Sequence, residues 1–176
     1  MNDALVQLVV HAVKEQYISE KSFYATQLGI TPQSWDRWKK GEQGLKPHNW
    51  LKLMTLFSDY EAMMVMKVSR NAEIIQDVQL NPVAEFMNMK LHVARKWINS
   101  GLAQVEMFQE KEPEDGEPRR IPATILRVEL SYDFWSYKDR IDFRFPGVKR
   151  KELDMEKQEL LEWLEEEVQS NMATHN

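Results

Sequence analysis

Hydrophobic positions in the first third of the chain recur every three or four residues, the spacing that places them on one face of an α-helix. The first such helix is predicted over residues 2–17. Its apolar face comprises Leu5, Leu8, Val9, Ala12 and Val13. Two shorter helices are expected over residues 19–28 and 32–40, another that starts at Lys46-Pro47 or at Asn49, and a looser helical pattern covers residues 59–80.

Capping signals predict where the two short helices begin and end. Ser19 can cap the first helix, and Gly29 follows it, where a residue that tolerates positive φ is needed. Thr31 can cap the second helix, with Pro32 at its first position and Gly41 after its end. Two helices separated by three residues form a helix-turn-helix.

The pattern changes after Asn81-Pro82, which predicts a domain boundary there. A helix pair is expected next, with helices over residues 83–87 and 91–100 and a turn at 88–90. Alternating apolar and polar residues then predict strands over residues 102–109 and 121–130.

An acidic loop over residues 110–118 should join these two strands, and a third strand is predicted around residues 141–145. Residues 132–145 interleave aromatic and basic side chains, which suits either a base-stacking platform or, more simply, the core of a small sheet. Residues 149–170 have the pattern of an amphipathic helix.

The expected fold is therefore mainly α. It has an N-terminal helix-turn-helix bundle of four to five helices, then an α+β domain of a helix pair, a small antiparallel sheet and a C-terminal amphipathic helix. The predicted divisions are a helix-turn-helix domain over residues 1–58 and a connecting helix over residues 59–81. An α+β domain that resembles a winged helix follows over residues 82–148, and a C-terminal helix with its tail covers residues 149–176.

Charge is distributed unevenly along the 176 residues, whose formal net charge is −5. Up to Ser58 there are seven Lys and Arg against five Asp and Glu, whereas from Lys149 onward there are four against eight. The N-terminal third can therefore face an anionic partner although the whole chain is acidic. With no cysteine and no apolar run of about 20 residues, a cytoplasmic protein that neither forms disulfides nor enters a membrane is expected.

No enzyme signature is found. The four histidines, at positions 11, 48, 92 and 175, have no metal-ligand spacing, and neither a phosphate-binding glycine loop nor a Gly-x-Ser-x-Gly motif occurs. We therefore expect no catalytic residues, no metal and no cofactor.

The helix-turn-helix segment resembles that of the phage Cro and repressor (XRE-like) family. The family's small first-helix residue and its turn glycine correspond to Ala25 and Gly29, and its closing pattern to Lys40-Gly41. The apolar framework positions are filled by Tyr24, Leu28, Ile30, Trp35 and Trp38. The resemblance covers about residues 2–57 and implies that Ala25 lets the two helices cross closely while the second helix contacts duplex DNA.

The resemblance also implies roles for outward side chains. Gln33 and Arg37 would contact base edges, since Gln pairs with adenine and Arg with guanine. The other DNA-binding candidates, suited mainly to phosphates, are Lys21, Thr31, Ser34, Lys39, Lys40 and Lys46. Pro32 stands where the family often has a polar side chain that contacts bases, and a carboxylate at the position of Asp36 often pairs with an Arg.

Residues 83–130 carry a second, smaller resemblance, in the apolar positions Ala84, Met87, Met89, Ala94 and Trp97 and in the closing Gly101. They are similar to excisionase- and MerR-like winged helices, in which a helix pair precedes a β-hairpin wing. This resemblance implies a second DNA site at Lys90, His92, Arg95 and Lys96. The many carboxylates of the predicted wing would repel DNA phosphates, so a helix pair that packs on a sheet for structure or dimerisation is the alternative.

The expected function is that of a sequence-specific transcriptional regulator, repressor-like, from a bacterium or its phage or mobile element. Because one half-site discriminates little, we expect a homodimer on double-stranded DNA. Two alternatives stay open. In one, the acidic C-terminal half binds a protein partner or acts as an inhibitor module; in the other, the chain is an excisionase-like accessory that shapes DNA.

Overall fold

A computed structural model describes residues 3–147 and 156–174. Within these ranges the fold is mixed α+β, with a helical N-terminal part and a three-stranded antiparallel sheet. The helices are α1 (Asp3–Gln16), α2 (Glu20–Phe23, continued as a π-helix over Tyr24–Leu28), α3 (Pro32–Lys39), α4 (Pro47–Met54), α5 (Asp59–Asn71), α6 (Gln76–Leu80), α7 (Pro82–Ser100) and α8 (Lys157–Thr174). The strands are β1 (Gln104–Gln109), β2 (Ala123–Ser131) and β3 (Lys138–Pro146).

The chain forms two compact units, and neither is a continuous stretch of sequence. The first comprises Met1–Phe57, Ala62–Phe86 and Lys111–Ile121, and the second comprises Ser58–Glu61, Met87–Glu110 and Pro122–Asn176. This division differs from one drawn at residues 58, 81 and 148, because α5 and α7 each contribute residues to both units. A linear search for linkers cannot find such a division.

The first unit buries the apolar face predicted for α1. Leu8 is 1% exposed and Val9 is fully buried, and an aromatic cluster formed by α2 and α3 adds to the same core. Gln16 at the end of α1 donates from Nε2 to the carbonyl of Leu56 at 2.9 Å, which satisfies a buried amide.

The segment Lys111–Ile121 also belongs to this first unit, and the end of the predicted acidic loop is anchored there. The backbone N–H of Ile18 donates to the carbonyl of Arg119 at 3.3 Å, and the N–H of Ile121 donates to the carbonyl of Gln16 at 3.1 Å. The Arg120 guanidinium lies 5.0 Å from the centre of the Tyr17 ring and bonds the Gln16 side chain at 3.2 Å. These bonds hold the loop against the connection between α1 and α2.

The second unit contains the sheet, in the order β1-β2-β3, with both neighbouring pairs antiparallel. The three predicted strands are thus confirmed. One face of the sheet is apolar, and Leu126, Ile141 and Phe143 on it are each 1% exposed or less. Part of α8 covers it, since the Trp163 ring lies 5.1 Å from that of Phe145. The start predicted for this last helix, residues 149–155, lies outside the described residues.

The predicted helix pair after Pro82 is wrong, because α7 is one continuous helix of 19 residues. The expected turn over residues 88–90 contains neither Gly nor Pro, and Asn in a helix costs only about 0.7 kcal/mol relative to Ala. Met87, Leu91 and Ile98 fall on one buried stripe, and burial of that stripe outweighs the weak local preference. The residues after Asn88 continue the helix instead of starting a second one.

Candidate nucleic-acid interface

Helices α2 and α3 are bounded by the caps that the sequence predicts. The Ser19 Oγ accepts from the N–H of Ser22 at 3.0 Å, and the N–H of Ser19 donates to the Ser22 Oγ at 3.3 Å, which closes a reciprocal capping box. Gly29 has φ +62°, the left-handed conformation that ends a helix. Thr31 then caps α3 by accepting from the N–H of Ser34 at 3.2 Å, with Pro32 at the first helical position.

The role predicted for Ala25 is wrong: its side chain is exposed. Residues Tyr24–Leu28 form a π-helix, in which each turn holds more residues than in an α-helix. The buried position therefore falls on Tyr24, whose ring stacks on that of Trp35 with centroids 5.6 Å apart. A large aromatic ring, and not a small residue, forms the contact between the two helices.

Two tryptophans anchor α3 to the core, as predicted. Trp35 and Trp38 are each 1% exposed, and their rings stack with centroids 4.9 Å apart. Phe23 meets Trp35 edge-on at 6.1 Å. A buried aromatic side chain removes roughly 150–250 Å² from water, so these contacts fix which face of α3 points outward. The Trp35 Nε1 has no hydrogen-bond partner among the described residues.

The outward face of α3 presents the two side chains expected to contact bases. Gln33 and Arg37 are exposed and lie one turn apart, at the spacing at which side chains share one helix face. Among the described residues, neither side chain makes a hydrogen bond or an ion pair. Both are therefore available to an external partner.

The lysines predicted for phosphate contact fall into two groups. Lys39 is occupied, because its Nζ lies 3.3 Å from the Glu20 carboxylate and 3.6 Å from that of Asp36. The expected pairing of Asp36 with an Arg is thus replaced by pairing with Lys39. Lys21, Lys40 and Lys46 are exposed and have no ion-pair partner within the described part of the chain.

A cleft of about 300 Å³ opens beside the N-terminus of α3, where Thr31 and Ser34 lie. It is also lined by Lys46, His48 and Asn49 at the start of α4. Asn49 is 4% exposed, and its Oδ1 has no hydrogen-bond partner in the ranges that the structure describes. His48 and Asn49 carry no signal of this site in the sequence, because only the packing of α4 against the turn brings them next to Thr31.

The second predicted DNA site is not assembled. Lys90 is 6% exposed and forms a buried ion pair with Glu61 at 3.4 Å, so it cannot reach a phosphate. Arg95 forms an ion pair with Glu165, which leaves His92 and Lys96 as the exposed members of the set. The helical spacing that suggested four clustered cations in fact divides them between the buried and exposed sides of α7.

Aromatic side chains at the start of residues 132–145 are exposed. In the loop between β2 and β3, Trp135 is 93% exposed and Phe134 is 67% exposed, with Tyr132 and Tyr137 beside them. Trp135 and Ser136 have φ values of +67° and +51°, a strained conformation for a bulky residue. The interpretation of residues 132–145 as core aromatics holds for Phe143 and Phe145 but is wrong for this loop.

Comparisons of the chain with protein-family models, with curated proteins and with solved structures find no match. Residues 3–147 and 156–174 contain no cluster of three or more His, Asp or Glu side chains that could hold a metal ion. In the same ranges, no helix combines the length and apolarity needed to cross a bilayer.

Proposed function

We propose that this protein is a sequence-specific DNA-binding transcriptional regulator of the repressor type, from a bacterium or its phage or mobile element, which binds operator DNA in the cytoplasm. One observation carries the proposal: Gln33 and Arg37 lie exposed on one face of α3, and neither side chain has a partner within residues 3–147 and 156–174. The buried Trp35 and Trp38 hold the helix in that orientation. An α-helix fits the major groove, where base edges present distinct hydrogen-bonding patterns.

Within this proposal, some residues around α3 contact bases and others contact phosphates. Gln33 and Arg37 contact base edges, and Arg37 takes the larger share because a bidentate Arg–guanine pair contributes about 1–3 kcal/mol of discrimination. Lys21, Lys40 and Lys46 neutralise phosphates and fix the position of the helix on the duplex. Thr31 and Ser34, at the N-terminus of α3, offer hydroxyls to the same backbone, while Lys39 contributes little because Glu20 and Asp36 hold it.

Two copies of the chain on a two-fold symmetric site complete the proposal. A helix of eight residues touches only a few base pairs, so half-sites about one helical turn apart would supply the remaining specificity.

The test is selection of bound duplexes from a random pool with wild type and Arg37→Ala. We expect wild type to enrich a two-fold symmetric site and Arg37→Ala to bind that site about tenfold or more weakly, the equivalent of about 1.4 kcal/mol. Arg70→Ala is the matched control, because Arg70 is an exposed arginine of α5 that has no side-chain partner among the described residues. Equal binding by wild type and Arg37→Ala would remove α3 from the proposal.

A second candidate function rests on a different observation. The exposed Phe134 and Trp135 suit a protein interface, where aromatic side chains dominate the binding energy. In this alternative the protein has a helix-turn-helix, and its acidic C-terminal half binds a protein partner or acts as an inhibitor module. The excisionase-like alternative is not carried forward, because the helix pair on which it depended is one continuous helix.

A further inference from the structure

The two edges of the sheet in the second unit differ in how their backbone groups are satisfied. At β3, the Ser58 Oγ donates to the carbonyl of Arg140 at 2.5 Å, and the N–H of Asp142 donates to the Glu61 Oε2 at 2.9 Å. The Lys90 Nζ donates to the carbonyl of Asp142 at 2.5 Å. Three side chains, of which those of Glu61 and Lys90 are buried, thus close this edge against another strand.

The register shows which backbone groups β1 turns away from the sheet. The N–H of Glu110 donates to the carbonyl of Ala123 at 3.1 Å, which identifies these residues as a hydrogen-bonded pair. In an antiparallel ladder such pairs alternate, so even-numbered residues of β1 bond β2. Val105, Met107 and Gln109 therefore point their N–H and C=O groups outward.

These outward groups have no backbone partner within the described residues, and β1 lacks the usual protection of an edge strand. Its sequence, Gln104 to Gln109, contains no Pro and no Lys, and its one charged residue is Glu106. Natural edge strands usually carry such residues or a bulge, because open backbone groups accept another strand. Within the part of the chain that the structure describes, β1 is thus the open edge of this sheet.

We propose that β1 pairs antiparallel with β1 of a second copy of the chain, around a two-fold axis at Met107. The two sheets would then form one sheet of six strands. This interface goes beyond the proposed function, since it assigns where two copies meet and is tested without DNA. Symmetry places Met107 opposite its own copy and Val105 opposite Gln109 of the other chain.

Three features of β1 select this occupant and this register. Around Met107, all three outward residues find partners, which gives six N–H···O bonds. A centre at Glu106 would pair Val105 with Met107, leave Gln109 opposite a residue before the start of β1, and place two carboxylates face to face. The Met107 register instead sets Glu106 opposite the partner's Phe108. Strand β1 is therefore complementary to itself, as an isologous contact requires.

Side-chain packing supports the same pairing. Val105 and Met107 lie on the sheet face that carries Leu126, Val128 and Phe143, since strand partners share a face. Both are only half-buried in the single chain, whereas Leu126 and Val128 are fully buried. Pairing would continue this apolar face across the axis and cover the two residues.

Cysteine cross-linking tests the register, and the chain has no cysteine of its own to interfere. In a hydrogen-bonded pair the two Cα atoms are about 5.5 Å apart, within disulfide reach. Mild oxidation of Met107→Cys should therefore give a covalent dimer. The matched control is Gln104→Cys on the same strand, where the two cysteines would lie about 20 Å apart along it. Equal cross-linking of both variants, or of neither, would overturn the proposal.

Sedimentation equilibrium of Met107→Pro tests the contribution of the hydrogen bonds. Because the Met107 N–H points outward, proline at this position leaves the bonds between β1 and β2 intact and removes two of the six bonds between copies. We expect the dimer dissociation constant to rise about tenfold or more, with an unchanged circular dichroism spectrum. A wild type that stays monomeric, or a folded Met107→Pro that dimerises as wild type does, would overturn the interface. If both tests support the interface but the protein does not bind DNA, the interface is kept and the proposed DNA-binding function is wrong.

Discussion

At the scale of single residues, the same residue type takes different roles because its surroundings differ. Lys90 and Lys96 both lie on α7 and looked equivalent as phosphate contacts, yet Lys90 is buried against Glu61 whereas Lys96 is exposed. The Lys90 Nζ also lies 5.0 Å from the centre of the Phe143 ring. Lys90 is therefore a structural cation, and its loss should be measured as a loss of stability.

Replacing Lys90 by Met leaves the buried Glu61 carboxylate without its cation. We expect the free energy of unfolding to fall by about 3–5 kcal/mol, the usual cost of breaking one side of a buried ion pair. Lys96→Met, the same substitution at an exposed site, should change it by about 0.5 kcal/mol or less. Urea unfolding at pH 7 measures both, and equal effects would contradict the structural role of Lys90.

Gly29 is the residue at which backbone conformation matters most for the candidate interface. A Cβ added there meets nothing within 4 Å, so only the left-handed backbone, with φ +62°, opposes substitution. Gly29→Ala should therefore cost about 1–2 kcal/mol of unfolding free energy.

Gly44→Ala is the control for this prediction, since its added Cβ also meets open space and no left-handed backbone is involved. We expect Gly44→Ala to be neutral or slightly stabilising, because alanine restricts the unfolded chain more than glycine does. Thermal unfolding of the two variants would refute the role of Gly29 if their melting temperatures were equal.

At the scale of elements, a ladder of ion pairs lies on the less apolar face of the sheet. Arg127 forms two bonds with Asp142, at 2.9 and 3.1 Å, and Arg144 forms two with Glu110, both 2.7 Å. The Glu129 carboxylate accepts from Arg140 at 3.1 Å and lies 3.1 Å from the Lys138 Nζ. This face is charged yet largely self-neutralised, and it therefore offers little net charge to a partner.

Glu129 makes the stability of this sheet depend on pH. Burial alone would raise the Glu129 pKa, but its bonds to Lys138 and Arg140 outweigh burial and lower it from 4.5. A lowered pKa means that the folded state holds its proton less tightly than the unfolded state. The stabilisation is therefore complete above pH 4.5 and is lost as the pH falls through the folded-state pKa.

Glu129→Gln should remove this stabilisation. At pH 7 we expect wild type to exceed the variant by about 1–3 kcal/mol in unfolding free energy, and the difference should shrink as the pH falls below 4.5. Glu112→Gln, in the exposed loop before β2, is the control. Urea titrations between pH 3 and 7 give the measurement, and a difference that stays constant with pH would contradict the assignment.

At the scale of the whole molecule, the candidates for phosphate contact supply few cations. Per chain, Lys21, Lys40 and Lys46 are exposed and, among the residues that the structure describes, unpaired. The acidic balance of the rest of the chain limits nonspecific attraction, so specificity must come from base contacts and from the use of two copies.

The salt dependence of DNA binding follows from the number of lysines that contact phosphates. A dimer that neutralises about six phosphates should show a slope of log K against log salt of about −5, from −0.9 per phosphate. Lys46→Ala should reduce the magnitude of this slope by about two, because both copies lose a contact, whereas Lys39→Ala should leave it nearly unchanged. Fluorescence anisotropy over a range of salt concentrations measures the slopes. A larger effect for Lys39→Ala would show that its pairing with Glu20 and Asp36 does not persist on DNA.

What the sequence determined by itself is local. The helix boundaries at Ser19, Gly29 and Thr31 follow from bonds and backbone preferences that act within about four residues. The strands follow from alternation along a few residues, and the inward side of α3 follows from the spacing of Trp35 and Trp38. Each of these can be obtained from a short window of sequence.

What only the tertiary structure decided depends on residues far apart in the chain. Lys90 is buried because it meets Asp142, 52 residues away, and the loop after β1 joins the N-terminal unit because Arg120 meets Gln16, 104 residues away. The π-helix and the open edge of β1 likewise depend on which neighbours are present. Burial and ion pairing depend on which residues are close together in the folded protein, and the periodicity of the sequence does not identify those residues.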